Sequence, residues 1–389
     1  MRTFALAACL LSSVGSFSPS WNASPIQRFR QQGHHPVRNS VASPSVESSS
    51  YSSDSDSQPQ QIASPTRDTT ASASKSSSRV AILVCPAQFC VPDDYQVLFD
   101  NLAEWHSETI NSSSDSDDDS NTNRIPPTIG TTLVAPLPRT EWIKVAKQLP
   151  TRAFLEARLP VAETLSWYFE AMDSALSQIF AAEQGKDDVS LCIIGHSIGG
   201  WVARAYLGGL AGSTTAVQRL AMERCSSLIT LGTPHLSSET ALVDQTRGLL
   251  RAIEETPACC PHALAARGME ITCVCSSGLD GSFFTTNLEQ LVAASSYLPL
   301  LGRLSDNSNN GAARGDGIVP LDLAFLGAPA RRVIVDQCAL TQAPVRHSHV
   351  IPTPWNLIDG YAPSISLPPD TYPSYISKGV IPQWAPFIR

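Results

Sequence analysis

Apolar residues follow two rhythms from residue 79 onward. Short, nearly continuous apolar runs occur at 79–85, 131–136, 189–194, 227–231, 271–275 and 332–336. Runs of that length read as strands buried on both faces. Between them, apolar positions recur at spacings of three and four. Leu98, Leu102 and Trp105 predict a helix over 95–105, and Leu165, Phe169, Met172, Leu176 and Phe180 predict a longer one over about 160–182. Residues 201–210 predict a third. Strand–helix alternation of this kind predicts an α/β fold with a doubly wound, mostly parallel sheet. Two apolar stretches interrupt it. One is 237–266, with Leu242, Val243, Leu249, Leu250 and Ile253; the other is 283–303, with Phe283, Phe284, Leu288 and Leu301. Periodicity fits both a lid or cap over a pocket and helices buried on the sheet.

Before residue 79 neither rhythm is present. Residues 1–16 carry Arg2, a short apolar core through Leu11 and small residues at Gly15 and Ser16. This is a signal-peptide-like leader, too short to span a bilayer. Residues 17–46 contain Arg28, Arg30 and Arg38, many Ser and Pro, and no acid, as transit peptides do. The two together resemble the bipartite plastid-targeting presequences of algae with secondary plastids; plain secretion with a disordered pro-region is the alternative. Residues 47–78, rich in Ser, Asp, Gln and Thr, predict a disordered linker. One folded domain is expected over 79–389, carrying an acidic, disordered insertion at 111–123.

Charge and cysteine content narrow the partners. The chain has 27 Lys and Arg against 35 Asp and Glu, a net −8. That balance argues against binding nucleic acid or anionic lipid through net charge. No later stretch is apolar for long enough to predict a transmembrane helix; peripheral membrane contact and oligomeric state stay open. Of the ten cysteines, Cys9 falls in the leader. Cys85, Cys192 and Cys273 sit inside strand-like runs, where a thiol acts as a small hydrophobe. This usage suits a reducing compartment.

The candidate chemistry centres on Gly195-His196-Ser197-Ile198-Gly199. It follows an apolar strand-like run and opens a helix-like one, the strand–turn–helix context in which G-x-S-x-G exposes a nucleophilic serine. A serine hydroxyl needs a histidine base, an acid that fixes its tautomer and donors for the oxyanion. The order here should be Ser, acid, His. Asp316, in Gly315-Asp316-Gly317-Ile318-Val319-Pro320, is the acid candidate, with Asp306 and Asp336 as weaker ones. The base is His347, with His349 as the alternative, because only these histidines follow Asp316. The oxyanion donors are the amide of Ile198 and that of Gln88, or alternatively Ala87, in the loop after the first strand. His196 and His235 read as packing or supporting residues. Cys259, Cys260, His262, Cys273 and Cys275 lack zinc-ligand spacing. Neither a metal nor an organic cofactor is expected.

Gly195-His196-Ser197-Ile198-Gly199-Gly200-Trp201, Leu231-Gly232-Thr233-Pro234-His235 and Gly315-Asp316-Gly317-Ile318-Val319-Pro320 together resemble the lipase-like α/β-hydrolases, including the GPI inositol-deacylase relatives. Cys85-Pro86-Ala87-Gln88-Phe89 and Val345-Arg346-His347-Ser348 look like the plastid-type members of plants, algae and cyanobacteria. The similarity spans about residues 79–360. It implies an α/β-hydrolase fold and hydrolysis of a carboxylic ester, often in a lipid, without cofactor. Ala87 departs from the glycine that many lipases carry there. A non-catalytic binding protein on the same scaffold, or an acyltransferase or thioesterase using the same three residues, are the competing expectations.

Overall fold

A computed structural model of the chain describes residues 79–114, 126–186, 188–241, 244–304, 312–352 and 360–389. The leader, transit-like segment and linker lie outside the described residues. So do most of the acidic insertion, Leu242, Val243 and Asp306.

Six parallel strands form the central sheet: β1 (Arg79–Cys85), β2 (Thr128–Val134), β3 (Val189–His196), β4 (Cys225–Leu231), β5 (Glu270–Ser276) and a last strand, Arg331–Val335, in the order β2-β1-β3-β4-β5-last. The apolar runs set this arrangement. In β1, Val80, Ile82 and Val84 enter one core cluster while Ala81, Leu83 and Cys85 enter the other. In β3, Cys192 and Ile194 follow the first set, Leu191 and Ile193 the second. Alternate residues thus bury on opposite faces, and both faces must be covered. Each Leu- or Ile-sized side chain removed from water contributes about 1.5–3 kcal/mol.

Helix α1 (Gln96–Ser114) covers one face through Leu98 and Leu102, joined by Trp384 and Tyr375 from the C-terminal segment. Helix α1 continues into the segment expected to be an acidic loop, to Ser114. The other face is covered by α2 (Val161–Ala182), α3 (Ile198–Leu207), α4 (Ala216–Arg224) and α5 (Leu249–Glu255). In α2, Leu165, Phe169, Met172 and Leu176 keep their spacing of three and four on the buried side. Thr215 starts α4 by accepting the Gln218 amide at 3.0 Å, a side-chain N-cap.

The two interrupting stretches behave differently. Leu249, Leu250 and Ile253 of α5 pack into the main core. Helix α6 (Leu288–Leu301) forms a separate small cluster through Ala293, Tyr297 and Leu301. It packs against a two-stranded pair, β6 (Leu279–Asp280) and β7 (Arg314–Gly315). The last sheet strand is β8 (Arg331–Val335). Ser197 after β3, Gln88 after β1 and the Gly232 that the Asp316–His347 pair abuts after β4 lie at the carboxyl edge of this sheet, where open α/β sheets place their sites. Among the described residues no helix is long and apolar enough to cross a membrane.

Candidate active site

β3 ends at His196 and α3 begins at Ile198, which leaves Ser197 alone at the bend with φ 54° and ψ −125°. A non-glycine residue held there carries on the order of 1–3 kcal/mol of strain. The surroundings enforce it: the Ser197 amide donates to the Leu231 carbonyl at 2.8 Å, and its carbonyl accepts the Gly200 amide at 3.1 Å. The flanking glycines are required by close approach. A Cβ on Gly195 would stand 2.3 Å from Gly200 Cα, and one on Gly199 2.1 Å from the Cys85 carbonyl oxygen. The start of α3 therefore rests on the end of β1, beside the loop at 86–89. Ser197 is half-buried.

The candidate acid and base arrive from separate loops. Asp316 follows β7 in a tight turn and is 1% exposed. Its Oδ1 accepts the amides of Ile318 (2.9 Å) and Val319 (2.7 Å). Its Oδ2 accepts His347 Nδ1–H at 2.8 Å and the Tyr375 hydroxyl at 2.7 Å. Burial pushes the carboxyl up, but the His347 charge and these hydrogen bonds outweigh it and hold Asp316 below the ordinary carboxylate value. The His347 amide also donates to the Asp316 carbonyl at 2.9 Å. His347 Nε2 has no hydrogen-bond partner among the described residues. The pair lies against Gly232, one residue beyond the Leu231 that holds the Ser197 amide. A Cβ on Gly232 would stand 2.5 Å from Asp316 Oδ2 and 2.9 Å from His347 Nδ1.

The other candidates separate from this cluster. His349 Nδ1 pairs with the Ser374 hydroxyl at 3.1 Å, and burial lowers its imidazole below the ordinary value. Asp336 bonds the Ser277 hydroxyl. His235 is buried; it accepts from Arg204 at 3.4 Å through Nδ1 and donates to Thr230 Oγ1 at 2.9 Å through Nε2. Burial pushes it well below the ordinary value, so it is a neutral packing residue.

The loop after β1 is fixed by two tyrosines. Tyr168 donates its hydroxyl to the Pro86 carbonyl at 2.7 Å, and the Ala87 amide donates to Tyr95 Oη at 2.7 Å. That second bond corrects one expectation: the Ala87 amide is engaged, so it is not available as an oxyanion donor. Gln88, half-buried in the following turn, keeps that role open. Ile198 is the first residue of α3, where an amide has no intrahelical acceptor.

Helix α6 is joined to both loops. Tyr297 Oη accepts the Gly317 amide at 2.7 Å in the acid turn. Glu289 receives a bidentate pair from Arg346, at 2.9 and 3.0 Å, one residue before His347. Tyr95, Tyr297 and Tyr375 carried no motif in the sequence; each reaches its partner through tertiary packing. A small cavity with room for about one water is lined by Tyr95, His196, His347, His349, Ser374 and Tyr375 among others. Among the described residues no three His, Cys, Asp or Glu side chains converge as metal ligands.

A parallel six-stranded sheet with flanking helices and a serine at the strand–helix bend defines an α/β-hydrolase-type fold. The family model described as the PGAP1-like alpha/beta domain, of that same type, matches residues 160–276. The matched stretch runs from α2 through the Ser197 bend to β5 and ends before Asp316 and His347. No curated protein matches the chain.

Proposed function

We propose that the protein is a serine hydrolase that cleaves a carboxylic ester, with a lipid acyl ester as substrate. The observation that carries this reading is the bonded Asp316–His347 pair lying against Gly232, the residue after the Leu231 whose carbonyl holds the amide of the strained Ser197. Ser197 Oγ attacks the acyl carbonyl carbon while His347 Nε2 takes its proton. Asp316 keeps the other imidazole proton on Nδ1 and stabilises the imidazolium. The amides of Ile198 and Gln88 receive the developing oxyanion. Collapse of the tetrahedral intermediate expels the alcohol, which takes the proton back from His347. Water, deprotonated by His347, then attacks the acyl-enzyme; the bond to Ser197 Oγ breaks, His347 returns the proton to that oxygen, and the carboxylic acid leaves.

The lipid reading rests on exposed apolar side chains after His235, in the acid turn and at the start of α6. Leu236 follows His235, Ile318 sits in the acid turn, and Phe283, Phe284 and Leu288 precede or open α6; all are exposed. Similarity to a PGAP1-like domain supports a hydrolase of this type. The features of residues 1–46 support delivery to a plastid, with secretion the outcome that a fluorescent fusion would reveal instead.

The test is a fluorophosphonate probe together with a series of p-nitrophenyl acyl esters. Wild type is expected to label and to favour long chains; Ser197→Ala is expected to do neither. Equal labelling of the two would end the proposal and favour a binding protein. An added alcohol acceptor that captures the acyl group faster than water would turn the reading to acyl transfer.

A further inference from the structure

His196 fills the variable position of the bend, and its side chain bonds two other loops. Its Nε2 lies 2.9 Å from the carbonyl oxygen of His347. Its Nδ1 lies 2.9 Å from Tyr95 Oη. Tyr95 Oη in turn accepts the Ala87 amide at 2.7 Å. The proton positions follow from the partners. A carbonyl only accepts, so His196 Nε2 carries hydrogen. Tyr95 oxygen already accepts from Ala87, so its own proton points to His196 Nδ1. One directed chain results: Ala87 N–H to Tyr95 O–H to His196, and His196 Nε2–H to the His347 carbonyl.

We infer that His196 is a positioning residue that ties the loop carrying the Gln88 amide to the loop carrying His347, with Ser197 at the fixed point between them. This rests on the serine-hydrolase reading above. The chain joins the three segments that must be in register during acyl transfer: oxyanion donor, nucleophile and base. Among the described residues His347 hydrogen-bonds Asp316 through its ring and its amide; its carbonyl accepts from His196. The His196 and His347 rings stand 5.1 Å apart between centroids, tilted by 37°. His196 is buried, and burial together with the His347 charge pushes its imidazole down to about 3, consistent with a neutral link. A buried polar chain is directional, so it fixes a distance where an apolar contact would tolerate sliding. A misplacement of about 1 Å between reacting groups costs on the order of 100-fold in rate.

The experiment compares His196→Leu, His196→Gln and Tyr95→Phe with wild type in the folded domain, checked by circular dichroism. His196→Leu is expected to lower kcat by about 10–100-fold with KM little changed. His196→Gln places an amide N–H within reach of the His347 carbonyl and is expected to restore most of that loss. Tyr95→Phe, which orphans the Ala87 amide, is expected to lower kcat with His196 intact. The downfield proton resonance of His347 Nδ1–H should be sharp in wild type and His196→Gln and broadened in His196→Leu. A folded His196→Leu protein with wild-type kcat and a sharp resonance would overturn the inference. So would a loss that His196→Gln leaves unrestored. If the Leu variant does not fold, Tyr95→Phe decides: wild-type kcat there overturns the link. Failure of wild type to label with fluorophosphonate would strike the hydrolase reading instead, and the resonance would then decide the link alone.

Discussion

Replacing Asp316 by Asn is the most demanding perturbation of the proposed chemistry, because it keeps the shape and changes only which atoms accept. Oδ1 faces the Ile318 and Val319 amides, and Oδ2 faces His347 Nδ1–H and the Tyr375 hydroxyl. All four partners donate. The new NH2 must replace one oxygen. At the Oδ1 position it meets two backbone N–H groups that cannot turn away, and each buried unpaired group costs about 1–3 kcal/mol. At the Oδ2 position it meets a hydroxyl that can turn toward Cys275 Sγ, 3.8 Å away, and an imidazole that can move its proton. The second arrangement is cheaper. It shifts the His347 proton from Nδ1 to Nε2, the nitrogen that must be free to take the Ser197 proton. The expected loss in kcat is about 10⁴-fold, or about 5.5 kcal/mol at about 1.4 kcal/mol per factor of ten.

The assay is p-nitrophenyl ester hydrolysis with fluorophosphonate labelling as a second readout. An Asn variant, folded by circular dichroism, that retains a rate within about tenfold of wild type would refute the tautomer argument. Stability supplies a sign check. The folded Asp316 carboxyl lies below its ordinary value. Its contribution is therefore present above the unfolded carboxylate value of about 3.9 and is lost as pH falls through the folded value. Wild type should exceed the Asn variant in urea midpoint at pH 7, with the gap closing below about pH 4. A gap that widens on acidification would contradict the hydrogen-bonding account.

Gly232→Ala drives a methyl into the Asp316–His347 pair at a residue with φ 54°. The expected outcome is about a 100-fold loss in kcat or more with the sheet intact, read by labelling rate and circular dichroism. Glu183→Gln tests the scaffold without touching the site. Its buried carboxylate takes Arg79 Nε at 2.8 Å, the Thr131 amide at 2.7 Å and Lys186 Nζ at 2.9 Å. Burial pushes Glu183 up, but these partners outweigh it and lower it. The variant should lose about 1–3 kcal/mol at neutral pH, a difference that fades below about pH 4, while kcat stays at the wild-type value. A kcat that falls with stability would mean that the β1–β2 edge is coupled to the site.

β2 and β8, at the sheet edges, are half-buried to exposed, but the inner strands β1, β3, β4 and β5 were legible because they are buried on both faces. Continuous apolar runs then mark them directly, and the strand containing Val80 to Cys85 and the helix at 161–182 stand within a residue or so of expectation. The pair β6–β7 was not legible, since two-residue strands have no period. Nor was the C-terminal segment. Trp384 and Tyr375 come from a stretch rich in Pro and Ser, yet they complete one face of the core. The interrupting stretches were ambiguous for a physical reason: amphipathic periodicity reports that a face is covered, not by what. α5 is covered by the main core, and α6 packs on the two-stranded β6–β7 pair that leads into the acid turn.

Within the site, what the sequence conveyed was order and type, and what it withheld was direction. His347 and His349 are two residues apart, and only the path of the loop decides that one ring meets Asp316 and the other Ser374. Ala87 and Gln88 are neighbouring amides, and the side chain of Tyr95, eight residues on, occupies the first. Tyr375 lies 59 residues from Asp316 and gives no local signal at all. The missed groups share one property: each supports a reacting group through hydrogen bonds made only after the chain has folded. Motifs record side chains whose chemistry fixes their identity. The atoms that aim those side chains answer to geometry alone, and geometry can be met from many points along a chain. On the hydrolase reading proposed above, the reaction class is therefore the more readable part, and the rate would turn on contacts such as Tyr375–Asp316 and His196–His347 that no spacing rule anticipates.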